Sequence, residues 1–172
     1  MKISKVKIAA LVALVLIGSI VIAVRYQKAA DIESVCKEAS QPLVNDIRSC
    51  SPIDKILGSL EVEGYKPLVL ESSKQSRGLL REKFELQIFE VKNYKLNNYT
   101  DTGAAQFRFI NGRLSAISYF PNTPNTAFKQ YPESQSGTIT VRHFINYQEK
   151  KYIFWSDDRL EAYITWWISK FS

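Results

Sequence analysis

Histidine is almost absent from this chain: its 172 residues hold one, His143. Any metal centre or triad built on imidazole must use that single ring. A lone histidine beside strand aromatics such as Phe144 and Phe154 reads as structural. Cysteine is nearly as scarce. Cys36 and Cys50 alone, with no histidine cluster, do not make a zinc site. Seven glycines leave no glycine-rich phosphate loop, and neither G-x-S-x-G nor H-E-x-x-H occurs. The one acidic pair, Asp157-Asp158, lies where a helix should start. The helix dipole explains acids there, and neighbouring helical side chains diverge by about 100°. No catalytic residue, metal or cofactor is expected on these grounds.

Negative charge is missing from the first thirty residues, because the first acid is Asp31. Within that stretch, Ile8 to Val24 (IAALVALVLIGSIVIAV) has no charge at all and one hydroxyl, Ser19. As a helix it would span roughly 26 Å, close to the apolar thickness of a bilayer. Lys2, Lys5 and Lys7 precede it, and Arg25 and Lys28 follow. The heavier basic flank stays in the cytoplasm, so the expected topology is N-terminus inside, domain outside. A cleaved signal peptide ending near Val21-Ile22-Ala23 is the alternative, although the apolar run is longer than the usual core of ~7–15 residues.

The net charge of +6 suggests nucleic acid until it is divided. Five of the 23 basic residues flank the apolar run, and all 17 acids lie at Asp31 or later. The remainder carries 18 minus 17, or +1, which is no footprint for phosphate.

Downstream, residues 25–41 contain no Gly or Pro and read as a helical stalk. A second short helix is expected from Pro42 to Ser49. On one straight helix, Cys36 and Cys50 would stand about 21 Å apart. A disulfide needs Cα atoms roughly 4.4–6.8 Å apart. The expectation is that the chain breaks near Pro42 and the two cysteines pair, as suits an oxidising compartment. Ser51-Pro52-Ile53-Asp54 starts a helix to about Leu60. Lys66 to Glu71 reads as an edge strand, followed by a polar loop, and Phe84 to Lys92 reads as a half-buried strand with a bulge. Asn111-Gly112 marks a two-residue hairpin turn, with Phe109 opposite Leu114 and Phe107 opposite Ala116.

Pro121 to Gln135 holds three prolines and reads as a long loop. Phe128 and Tyr131 are the residues in it that could grip a partner, or pin the loop to the domain. A second hairpin, 138–155, turns near Gln148-Glu149 and sets His143 opposite Phe154. Ser156 caps a last helix. Along it, Leu160, Tyr163, Ile164, Trp167, Ile168 and Phe171 form an apolar stripe at helical spacing. Trp166 lies off that stripe. An outward tryptophan suits a protein interface or a membrane–water boundary. Asn98-Tyr99-Thr100 matches a glycosylation acceptor, which matters only in a secretory eukaryote.

The expected fold class is α+β. An N-terminal transmembrane helix leads to short helices, an antiparallel β-meander of four or five strands, and a C-terminal amphipathic helix packed on the sheet. The expected divisions are a basic cytoplasmic tip (1–7), a signal anchor (8–24), a helical stalk or hairpin carrying the disulfide (25–50) and an extracytoplasmic domain (51–172). This order of parts resembles the plan of type IV pilins over the first third of the chain, which implies a pilin-like envelope subunit. It departs from the pilin pattern in having no glycine in Met1–Lys7 and no glutamate in the apolar run. The function expected from the residues is protein binding without catalysis. The protein would be a single-pass inner-membrane accessory, inhibitor or immunity-type protein, with its domain periplasmic or extracellular. Its partners would be the membrane, through residues 8–24, and another envelope protein. Trp166, Phe128 and Tyr131 are the candidate interface. An anchored or secreted hydrolase using unidentified carboxylates is the alternative.

Overall fold

The computed structural model describes residues 32–37, 40–77, 82–97 and 99–171. The apolar run 8–24, its basic flanks and Asn98 lie outside the described residues. Among the described residues no helix is long and apolar enough to cross a membrane.

The elements in chain order are α1 (Ile32–Lys37), β1 (Pro42–Val44), β2 (Ile47–Arg48), α2 (Ile53–Val62), β3 (Leu68–Arg77), β4 (Glu82–Lys95), β5 (Thr102–Ile110), β6 (Arg113–Pro121), α3 (Pro124–Gln130), β7 (Ser134–Ser136), β8 (Ile139–Ile145), β9 (Lys151–Asp157) and α4 (Asp158–Phe171). Strands β3 to β9 form one antiparallel sheet in the order β3-β4-β5-β6-β9-β8-β7. The fold class is α+β with α4 packed on the sheet, and the sheet has seven strands rather than four or five.

Four local expectations are corrected, each for a physical reason. Pro42 to Ser49 is a small hairpin, not a helix. Asn45 and Asp46 sit at φ 52° and 61°, the left-handed pair that a tight hairpin turn requires. The Asn45 side chain then fixes the hairpin to β4 by donating to the Lys95 carbonyl at 3.0 Å and accepting from the Asn97 N–H at 2.6 Å. The polar stretch after Glu71 continues β3 to Arg77. It is an edge strand with almost every side chain in water, so it has no apolar period to read. The segment 121–135 contains α3, entered at Pro124, and the short β7. Asp157, not Ser156, precedes the last helix and accepts the Arg159 N–H at 3.1 Å.

Two hairpin registers also move by one residue. Phe109 faces Leu114 as expected, but Ser115 is a bulge, so Phe107 faces Ile117 and Arg108 faces Ala116. In the second hairpin His143 faces Ile153, not Phe154. A five-residue loop, 146–150, sets this register. The Asn146 side chain accepts from the N–H groups of Gln148 and Lys150 at 3.0 and 2.9 Å, and Glu149 takes φ 59°.

Two apolar clusters lie on opposite faces of the sheet. The larger joins α2, the β1–β2 hairpin and α3 to Phe89, Phe107, Phe109, Ile117, Tyr119 and Trp155. The smaller joins α1 and α4 to Phe84 and Ile110 at one end of the strands. The ends meet at Asp157, which is 0% exposed. Arg159 donates to it from Nε at 3.0 Å and Nη2 at 2.7 Å. Burial alone would raise this carboxyl's pKa, but bonds from Arg159 and Ser49, with the Arg159 charge, outweigh it and hold the pKa below the usual range. Arg159 also reaches the Val35 carbonyl at 3.5 Å. Cys36 and Cys50 are joined as a disulfide, Cα to Cα 5.4 Å, which closes the same corner covalently.

Replacing Asp157 by Asn removes the charge partner of the half-buried Arg159 and should cost about 3 kcal/mol in urea unfolding. A carboxylate with a depressed pKa stabilises above its unfolded pKa, and that contribution is lost as pH falls through the folded value. Wild-type stability should therefore drop below about pH 4, and the variant's profile should be flatter there. A variant with an unchanged acid limb would remove Asp157 from this role. Reducing the disulfide, or the pair Cys36→Ser and Cys50→Ser, should cost about 3 kcal/mol, read from the shift in the urea midpoint.

Candidate functional site

The register of the second hairpin decides what the outer face of the sheet carries. With Ile145 opposite Lys151, Phe144 stands opposite Tyr152 and beside Phe154, while Trp155 turns to the core face. The one-residue shift of this hairpin places Trp155 opposite Val141. From β6, Phe120 joins the same face. Its ring stacks on Tyr152 at 4.9 Å, Tyr152 stacks on Phe144 at 5.5 Å, and Phe144 meets Phe154 edge-on at 5.9 Å. Four aromatic rings thus form one row across β6, β9 and β8.

No described helix covers this row. α4 crosses only the strand ends near Phe84 and Ile110. Phe144 is 39% exposed, and its three partners are half-buried. A shallow depression of about 280 Å³ opens between Phe144, Tyr152, Phe154 and the side chains of Arg108, Gln106 and Ile88.

Polar groups rim the row at one end. The Arg108 guanidinium lies 5.2 Å from the Phe154 ring centre. Arg108 donates to Ser115 Oγ at 3.2 Å and makes a close ion pair with Glu161 of α4. Burial raises the Glu161 pKa above its ordinary value, and Asp158 adds to that, against the opposing effect of Arg108 and Arg142. Gln106 donates to Glu90 at 3.2 Å. Asp158 accepts from Thr140 at 2.8 Å. The two shifted acids of α4 and its cap, Asp157 and Glu161, are each bonded to an arginine. Among the described residues no group of three or more His, Cys, Asp or Glu side chains could hold a metal ion.

The residues singled out in the sequence fall in different places. Phe128 stacks on His143 at 3.9 Å, and the His143 ring meets the Tyr131 carbonyl at 2.7 Å. Tyr131 donates to the Asn97 carbonyl at 2.7 Å and packs edge-on against Tyr99 and Trp155. Both aromatics hold α3 to the inner face of the sheet, opposite the ring row. Trp166 is half-buried on α4, near Tyr163 at 5.5 Å and Phe171 at 6.1 Å. The ring row itself was missed. Its signal was the alternation of Tyr152 and Phe154 with Ile153 and Trp155, which reads as a strand apolar on both faces.

The chain matches no protein-family profile and no curated protein sequence. What it offers chemically is a flat, aromatic, partly charged surface on a rigid sheet.

That surface is dispensable for folding if it is a site. Phe144→Ser removes two ring contacts from a partly exposed position and should cost about 1–2 kcal/mol in urea, leaving the domain folded. Phe107→Ala, in the core of the opposite face, should cost about 3–5 kcal/mol. Unfolding of the Phe144 variant would make the row a structural cluster.

Proposed function

We propose that this protein is a membrane-tethered extracytoplasmic domain that holds another envelope protein on the outer face of its sheet. The observation that carries this reading is the uncovered aromatic row Phe120–Tyr152–Phe144–Phe154. Exposed, contiguous apolar surface on a soluble domain marks interaction sites, and rigid aromatic rings are the usual anchors of protein interfaces. The Arg108 and Glu161 pair at its edge supplies the polar rim such interfaces carry. The Cys36–Cys50 disulfide supports an oxidising compartment. The apolar run Ile8–Val24 supports a tether, and the lysines before it support a cytoplasmic N-terminus. The protein then acts by capture, as an accessory, inhibitory or immunity-type subunit, without a reaction of its own.

The test is site-specific photo-crosslinking in intact cells. A benzophenone side chain replaces Phe144 in one strain and Lys55, on the opposite side of the domain, in another. One protein band dependent on position 144 and absent at position 55 is the expected result. Its loss on adding Tyr152→Ser would tie it to the ring row. Equal labelling from both positions, or none, would overturn the sheet face as the interface.

A further inference from the structure

The described chain begins at Ile32, which is 2% exposed in one cluster with Phe84, Tyr163 and Trp167. The apolar run ends at Val24, eight peptide steps earlier. Even fully extended, eight steps reach no more than ~29 Å. The end of the domain near Ile32 therefore sits within that distance of whatever holds the run.

α4 supplies what lies at that end. Arg159, Tyr163, Trp166 and Lys170 recur at helical spacing along one ridge. The ridge starts against α1, where Arg159 reaches the Val35 carbonyl. It continues past Lys83, whose carbonyl accepts from the Tyr163 hydroxyl at 3.4 Å. In its last turns, Lys170 Nζ lies 4.8 Å from the Trp166 ring centre and 5.3 Å from that of Phe171. Ile168, about 160° round the helix from Trp166, is 53% exposed although it belongs to the apolar stripe, so both flanks of these last turns carry apolar surface. Lys74 and Lys83 stand on β3 and β4 beside Ile32, around an opening also lined by Phe84, Glu33 and Glu85, where Lys74 pairs with Glu85 at 2.9 Å.

A half-buried tryptophan with a lysine over its ring, and an exposed isoleucine at the same helix end, match the composition of a bilayer's interfacial zone. There, amphipathic rings settle at headgroup depth and ammonium groups meet lipid phosphates. We infer that the last turns of α4 meet the phospholipid surface end-on beside the tether, with Trp166 and Lys170 on one flank of the helix and Ile168 on the other. The inference depends on the proposed anchoring of residues 8–24, and it assigns Trp166 to lipid, not to the protein partner.

The full-length chain is reconstituted into phosphatidylethanolamine–phosphatidylglycerol vesicles, with and without dibrominated phosphatidylcholine. Bromolipid should remove emission amounting to about one of the three tryptophans, since Trp155 and Trp167 are buried. In Trp166→Phe most of that loss should disappear. Ile168→Trp, at an exposed position, adds a reporter that should be quenched in turn. Extraction of the same vesicles with alkaline carbonate separates the two ideas. Protein that stays with the lipid but shows no quenching at 166 or 168 overturns the α4 contact and leaves the tether standing. So does quenching that survives intact in Trp166→Phe. Protein that leaves with the carbonate wash overturns the tether and the contact together.

Discussion

The carboxylate of Asp157 holds three parts of the chain at one point. It ends β9, caps α4 and takes that helix's Arg159 guanidinium, and bonds to Ser49. Through Arg159 the same group reaches the α1 backbone. A fully buried charge is tolerable only when every lone pair is used and an opposite charge lies in contact. That demand ties the first turn of α4 to the end of β9, and the helix packs on Phe84 and Ile110 near the strand ends. The Cys36–Cys50 bond closes the same corner by a second route, which limits how far α1 departs when the ion pair opens.

Packing of α4 near Phe84 and Ile110 leaves the aromatic row on the outer face uncovered by any described helix. On the inner face α2, α3 and the β1–β2 hairpin cover the apolar side chains of β4, β5, β6 and β9 almost completely. Burial on that face and at the α4 end already supplies two closed clusters. The aromatic row therefore lies on a scaffold whose stability is secured elsewhere. Its rings satisfy one another by stacking, which holds them in fixed positions at a cost of only two side-chain torsions each. A preset surface of this kind loses little further freedom when a partner arrives.

Much of this was legible where local chemistry and apolar period agree. Asn111-Gly112, the α2 start at Pro52-Ile53, the stripe of α4 and the cysteine pairing all rest on short-range rules, and the structure contains each of them. Three of the failures share one cause. Where a side chain other than glycine or proline sets the turn, composition gives the wrong count. Asn45 and Asp46 accept left-handed backbone, Ser115 inserts a bulge, and Asn146 organises a five-residue loop. The first turns an expected helix into a hairpin; the other two each shift a register by one, and one residue exchanges the two faces of a strand. The ring row was hidden by that exchange, because a sequence apolar on both faces does not say which face is core. β3 escaped for a different reason: an edge strand in water takes its order from β4 and needs no pattern of its own.

The two proposed surfaces constrain each other geometrically. All the strand ends that α4 approaches, at Glu82, Ile110, Arg113 and Asp157, lie at one end of the sheet. If that end rests on the bilayer through Trp166 and Ile168, the strands run away from the membrane and the outer face looks sideways along it. The aromatic row is then presented to a neighbour standing in or on the same membrane. It is turned away from both the lipid and the open compartment. A soluble ligand gains nothing from that orientation. A second membrane-bound protein does, because confinement to a common plane raises its effective concentration at the row without any new contact.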